Sequence, residues 1–348
     1  MPSSIRRHVA WLLLAVLPFT ASAEKSKPAP LGSQENVREF MAEMHLRHGF
    51  PPADLKRLFG KVHANAAVLK AIRPAAVPEL QRSWPRYRER FVNERRIRRG
   101  VSFWNENLPD LLRAEAHYGV PREIIVAIIG VETEYGRNMG KFGILEALAT
   151  LAFNYPPRAP FFRDELEQFL LLARENNTDP IDYKGSYAGA MGIPQFMPSS
   201  QRRFATDFDG DSRIDLQGSR SDAIGSVARF LKLHGWQQDQ PVALRASVSA
   251  DPAAWIAAGI KPAAPLRAMT EQGLGVADDR PALGELPAAL IDLVAPDQAT
   301  EYWVGFDNFY VITRYNRSSF YAMAVFQLAE ALRDAWQSEN SPARNSPN

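Results

Sequence analysis

Apolar residues recur at three- and four-residue spacing along much of the chain, the period of helices with one buried face. Val37, Phe40, Met41 and Met44 predict a helix over 34–48, and Leu108, Leu111, Leu112 and Tyr118 predict one over 102–118. From Ile124 to Val131 the run is apolar on every side except at Gly130, which predicts a helix buried all round. Pro121 suits its first turn and Gly136 its end. Leu145, Leu148 and Leu151 place a further helix over 143–154; Pro156-Pro157 breaks it, and 161–176 and 318–336 read as amphipathic helices. Between about 240 and 312 proline, alanine and glycine rise, with β-like runs at 289–294 and 302–313.

The expected architecture is therefore mainly α with a small β part (α+β). Its parts are a leader over 1–23, an N-terminal helical region over 24–110, a helical core over 111–240 and an inserted β-containing subdomain over 241–312. A closing segment and helix over 313–336 and a polar, proline-bearing tail over 337–348, expected to be disordered, complete it.

One polar residue ends the all-apolar run: Glu132, followed by the turn Thr133-Glu134-Tyr135-Gly136. Near a helix C-terminus the dipole disfavours a carboxylate, and burial does the same, so Glu132 is expected to hold its proton in the manner of a general acid. Glu134 is two residues on, about 200° around the helix, and is expected to face solvent.

Composition narrows the function classes. Arg6, Arg7 and His8, then an apolar stretch over 9–19 and Ala21-Ser22-Ala23, read as a cleavable export signal, too short for a membrane span. Cysteine is absent, which removes disulfides, thiol nucleophiles and a lipid anchor at the cleavage site. Cleavage after Ala23 leaves 39 basic against 39 acidic residues, against the charge expected of a nucleic-acid binder. The exception is local: Arg82, Arg86, Arg88, Arg90, Arg95, Arg96, Arg98 and Arg99 crowd one segment with Trp84, Tyr87 and Phe91. It reads as a solvated helix face or as a basic wall toward an acidic ligand.

Two motifs make the Glu132 reading specific. Gly130-Val-Glu-Thr-Glu-Tyr-Gly136 and Gly185-Ser-Tyr-Ala-Gly-Ala-Met-Gly-Ile-Pro-Gln-Phe-Met-Pro198 together resemble the lytic murein transglycosylase B family, glycoside hydrolase family 103. Trp84-Pro-Arg-Tyr-Arg, Phe153-Asn-Tyr-Pro-Pro-Arg-Ala-Pro-Phe-Phe, Asp222-Ala-Ile-Gly-Ser-Val-Ala, His234-Gly-Trp and Thr313-Arg-Tyr-Asn-Arg-Ser extend the resemblance over most of the chain.

The resemblance implies a goose-lysozyme-like helical core and a soluble periplasmic lyase that cleaves the MurNAc–GlcNAc β-1,4 bond of peptidoglycan without water, leaving 1,6-anhydroMurNAc ends. Glu132 would serve first as acid and then as base. Ser186, Gln195, Tyr87, Arg158, Tyr315 and Asn316 would bind the substrate, with Tyr315 near the carboxyl group. Partners would be glycan strands and muropeptides, with cell-wall synthesis or remodelling proteins beside them; nucleic acid and a membrane anchor are not expected. The chain departs from the family at Pro157-Arg158, where two arginines are common, and at Phe230, where a tyrosine is common, which bears on stem-peptide preference. A hydrolytic muramidase and a non-catalytic peptidoglycan-binding protein remain the alternatives.

A second signal, Asp207-Phe-Asp-Gly-Asp-Ser-Arg-Ile-Asp-Leu-Gln-Gly218, resembles an EF-hand loop, with Ser212 at the turn glycine and Gly218 in place of the last acid. Asp207, Asp209, Asp211, the Arg213 carbonyl and Asp222 are the candidate ligands for calcium or sodium; the alternative is a polar turn needing no ion. No cofactor is expected for the chemistry itself. His45, His48, His63, His117 and His234 form no zinc motif.

Overall fold

The computed structural model describes residues 29–73, 83–278 and 280–341. The expected export signal, Arg82 and residues 342–348 lie outside them. In chain order the main helices are α1 (Glu35–His48), α2 (Pro52–Phe59), α3 (Ala66–Ile72), α4 (Trp84–Phe91), α5 (Glu94–Glu106), α6 (Leu108–Tyr118) and α7 (Arg122–Thr133). They continue as α8 (Ile144–Asn154), α9 (Ala159–Glu175), α10 (Pro198–Phe204), α11 (Arg220–Leu233), α12 (Asp307–Thr313) and α13 (Ser319–Asn340).

The single helix expected over 102–118 is two. Pro109 lacks an N–H and would collide with the carbonyl four residues back, so α5 ends at Glu106 and α6 restarts with proline in its first turn. Asn107 forms the joint, its Nδ2 donating to the Phe103 carbonyl at 2.7 Å.

Two helical cores share the chain, and the expected 24–110 region is divided between them. α1–α3 pack with α8 and α9 around Phe40, Phe59, Leu148, Phe162 and Phe169. α4–α6, α11 and α13 enclose α7, whose Ile124–Ile129 are fully buried or nearly so, as a helix apolar on all sides requires.

The β part is one antiparallel five-stranded sheet ordered β4 (Ala264–Pro265), β6 (Pro287–Leu293), β7 (Glu301–Gly305), β3 (Ala243–Val248), β5 (Leu274–Val276). Ile291 pairs with Trp303, and Leu244 with Val304. β6 is buried on both faces: Leu290 packs on short helices over 253–257, 266–270 and 281–284, while Ala289, Ile291 and Leu293 join the core around α7.

The β-like run over 302–313 is a strand only to Gly305; residues 307–313 are α12. Asn308, fully buried, donates from Nδ2 to the Gln237 and Gln240 carbonyls and accepts from the Gln237 N–H, an anchor that outweighs the local β propensity. The last helix also runs beyond 336 to Asn340, so residues 337–340 are ordered as helix rather than as part of a disordered tail.

A short pair, β1 (Phe142–Gly143) with β2 (Lys184–Gly185), brings the glycine-rich segment to the C-terminal end of α7. α13 passes the same end. No helix among the described residues is long and apolar enough to cross a membrane.

Candidate active site

α7 ends in three successive left-handed residues, Glu134 (φ 51°), Tyr135 (φ 64°) and Gly136 (φ 82°). The Glu134 N–H closes on the Gly130 carbonyl at 3.1 Å and that of Tyr135 on Ile129 at 3.4 Å, so the helix stops one residue after Glu132. Thr133 pins this turn: its Oγ1 donates to the Ile193 carbonyl at 2.8 Å and accepts from the Gly136 N–H at 2.9 Å.

Glu132 is half-buried and accepts, at Oε1, the hydroxyl of Tyr321 at 2.6 Å. Burial pushes its carboxyl up to about 7, and the Tyr321 hydrogen bond pulls it partly back. The group therefore holds its proton around neutrality but gives it up at moderate cost, the property a side chain needs to act in turn as acid and base.

Three phenols surround it. Burial and the Glu132 charge raise Tyr87 to about 12 and hold Tyr315 and Tyr321 well above the ordinary phenol range, so all three remain neutral donors. Tyr321 and Tyr315 stack at 6.4 Å, and the Tyr315 hydroxyl donates to the Pro194 carbonyl at 2.5 Å. Tyr315 thus contributes a ring; it is Tyr321 that holds the carboxyl group. Tyr87 packs between Phe91 and Phe320.

The glycines of 185–192 serve close approach of the segment to the protein itself. A Cβ on Gly189 would overlap Leu148, and one on Gly192 would come within 2.5 Å of the Leu216 carbonyl. Ser186 Oγ accepts the Ala188 and Ala190 N–H groups at 3.3 and 3.0 Å, which leaves its hydroxyl hydrogen to donate. Gln195, at φ 51°, donates Nε2 to the Met139 and Gly192 carbonyls, which leaves Oε1 to accept. Arg158 and Asn316 are exposed, and neither belongs to the hydrogen bonds around Glu132; the Arg158 guanidinium lies over the Phe161 and Phe162 rings.

α10, the acidic loop and α11 form a helix–loop–helix. Carboxylate oxygens of Asp207, Asp209 and Asp211 lie within 4.8 Å of one another, and Ser212 takes φ 69°, the left-handed conformation a glycine would otherwise supply. All-oxygen donors carrying three like charges fit a hard cation such as calcium. Asp222 stands outside that cluster: almost fully buried, it accepts the Phe208 and Asp215 N–H groups at 2.8 Å each and ties the loop to α11.

Residues 32–330 match the transglycosylase SLT domain family. The chain is 43% identical to the membrane-bound lytic murein transglycosylase B of Escherichia coli over 85% of its own length and 82% of that protein's. The soluble lytic transglycosylase SltB1 of Pseudomonas aeruginosa superposes with a TM-score of 0.78 at 47% identity, covering 86% of this chain and 99% of that one. The Escherichia coli lytic transglycosylase Slt35 in complex with calcium gives 0.77 at 41% identity, with 89% and 96% covered. The chain belongs to the SLT transglycosylase family. It is a lytic transglycosylase of mainly helical, lysozyme-like fold.

For a lytic transglycosylase the side chain that sequence reasoning missed is Tyr321. Its only signal was a tyrosine on the apolar stripe of the last helix, where core packing accounts for an aromatic residue equally well. Tyr321→Phe should slow turnover about ten- to hundredfold, the worth of a hydrogen bond to a charged group. Because that bond lowers the Glu132 pKa, the pH limb belonging to Glu132 should move upward; an unchanged limb would mean that the contact is not used.

Glu134, expected to face solvent, is 6% exposed. The left-handed turn folds it back onto α5, where Arg95 Nε lies 3.2 Å away and Arg99 Nη1 also pairs with it. The arginine-rich segment is accordingly mixed: Arg98 pairs with Glu94 on the surface and Arg88 with Gln327, whereas Arg96 is buried, donating to the Gly130 carbonyl.

Proposed function

We propose that this lytic transglycosylase cleaves the MurNAc–GlcNAc β-1,4 bond with Glu132 as the sole acid–base group. The protonated carboxyl donates to the glycosidic oxygen, which leaves as the GlcNAc 4-hydroxyl while oxocarbenium character develops at the muramoyl C1. The C6 hydroxyl then closes on C1 and returns its proton to the Glu132 carboxylate, so no water is consumed and a 1,6-anhydroMurNAc end results. Tyr321 steadies the carboxylate between the two steps.

One observation supports this reading: the other buried glutamates among the described residues are already engaged. Hydrolytic glycosidases work with a pair, about 5 to 9.5 Å apart. Glu134 is neutralised by Arg95 and Arg99, and Glu165, the other buried glutamate among the described residues, is held by the Ser199 N–H and hydroxyl at 2.9 and 2.6 Å.

The Ser186 hydroxyl, Gln195 Oε1 and the rings of Tyr87 and Tyr315 would meet the sugar hydroxyls, acetamido group and ring faces, with Arg158 and Asn316 farther out. A peptidoglycan substrate and the Ala21-Ser22-Ala23 signal together support a periplasmic working protein. Mass spectrometry of muropeptides released from purified peptidoglycan tests the proposal. Fragments one water lighter than hydrolysis products support it, reducing ends make the enzyme a muramidase, and no release leaves a binding protein.

Calcium is the ion proposed for Asp207, Asp209 and Asp211, in a stabilising role. Millimolar calcium should raise the melting temperature by several degrees, and Asp209→Asn should abolish the rise. Identical melting curves with and without calcium would leave a polar turn.

A further inference from the structure

We propose that Glu134 is a positioning residue for Glu132, acting with Arg95 and Arg99 to lock the end of α7 onto α5. The inference rests on the reading of Glu132 as the reacting carboxyl group.

A left-handed C-terminal position costs any residue with a Cβ, and glycine or asparagine fills it more cheaply. Glu134 occupies it at φ 51°, so its side chain must contribute what its backbone costs. The carboxylate is enclosed: Oε1 meets Arg99 Nη1 and Arg95 Nε, and Oε2 accepts Asn138 Nδ2 at 3.2 Å. Arg95 and Arg99 lie one turn apart on α5 and converge on this one acid. A solvated basic face accounts for Arg98, which pairs with Glu94 in full view of solvent, but not for these two.

α5 grips the same turn at two further points. The Arg96 guanidinium donates to the Gly130 carbonyl, and the Tyr135 hydroxyl donates to the Arg96 carbonyl at 2.9 Å. At Gly100 a side chain would overlap both the Tyr135 hydroxyl and Leu332 of α13. One helix therefore braces two others: α7, which carries Glu132, and α13, which carries Tyr321. The 2.6 Å bond between those residues depends on both being held in register, and proton transfer is sensitive to displacements of about 1 Å. Without Glu134, Arg95 and Arg99, 61% and 38% exposed, can swing into solvent at little cost, so the loss falls on alignment rather than on folding.

The test is a set of variants, Glu134→Asn, Glu134→Gln, Arg99→Gln and the double Glu134→Gln/Arg99→Gln, assayed on soluble peptidoglycan fragments well below their melting temperatures. Glu134→Asn should melt at or above the wild-type temperature, because asparagine accepts the left-handed turn. Its kcat should nevertheless fall about tenfold or more with KM changed less than about twofold. Arg99→Gln should show the same split, and the double variant should be no worse than the poorer single.

Wild-type kcat in Glu134→Asn would reduce Glu134 to a helix cap and overturn the proposal; so would losses that simply add in the double variant. Arg99 is only partly buried, so Arg99→Gln keeps the test decisive if the Glu134 variants fold poorly. Glu132→Gln in the same assay separates the two readings. If it retains turnover, the assignment of Glu132 fails; if it is inactive while Glu134→Asn is unimpaired, only the positioning role fails.

Discussion

Replacing Glu132 by glutamine should lower turnover by roughly 10²–10⁴, the usual worth of a positioned general acid, while leaving glycan binding near the wild-type level. The amide has nearly the carboxyl group's shape and still offers an oxygen to Tyr321, so the cleft should survive the change. What goes is the proton. Both halves of the proposed reaction draw on that one group, the donation to the leaving oxygen and the recovery from the C6 hydroxyl, and Glu134, the nearest glutamate along the chain, is already paired with Arg95 and Arg99. The measurement is muropeptide release followed alongside binding to purified peptidoglycan. Turnover within about tenfold of wild type would remove Glu132 from the chemistry. Loss of binding together with turnover would mean that the substitution had damaged the cleft and not only the acid.

The part of the site legible in the sequence is the part written in consecutive residues. An apolar run closed by one carboxylate points to Glu132 and its raised pKa, because burial, the cause of the shift, follows from local sequence. Ser186 and Gln195 are reachable through the glycine-rich motif, whose Gly189 and Gly192 pack on Leu148 and Leu216. Contacts across the chain were hidden. Tyr321 lies 189 positions from Glu132 along the chain, and nothing in its own neighbourhood sets it apart from a core aromatic. Glu134 was misplaced for a different reason: helical periodicity was carried one residue too far, past the point where φ turns positive and swings the side chain from solvent to α5. The strand expected beyond Gly305 failed through a tertiary contact, the buried Asn308 amide, that no window of sequence contains.

The group proposed as the acid should also make the enzyme less stable at alkaline pH. Glu132 in the folded chain titrates at about 7 against an ordinary 4.5, because burial penalises its charged form. Below pH 4.5 the group is protonated in both states and contributes nothing. Between 4.5 and about 7 the folded state holds the proton that the unfolded state has released, so stability falls as pH rises through that window. Above it the full cost is present, about 3 kcal/mol from the difference between the two values. Glutamine carries no charge to bury, so Glu132→Gln should match the wild type in melting temperature near pH 4 and exceed it by roughly 5 °C near pH 8.5. Equal melting temperatures at both pH values would show that the carboxylate is solvated in the folded state, and the basis for its acid role would go with it. An inactive variant that outlasts its parent only on the alkaline side would instead tie the two properties to one cause, a carboxyl group kept from water so that it can hold a proton at neutral pH.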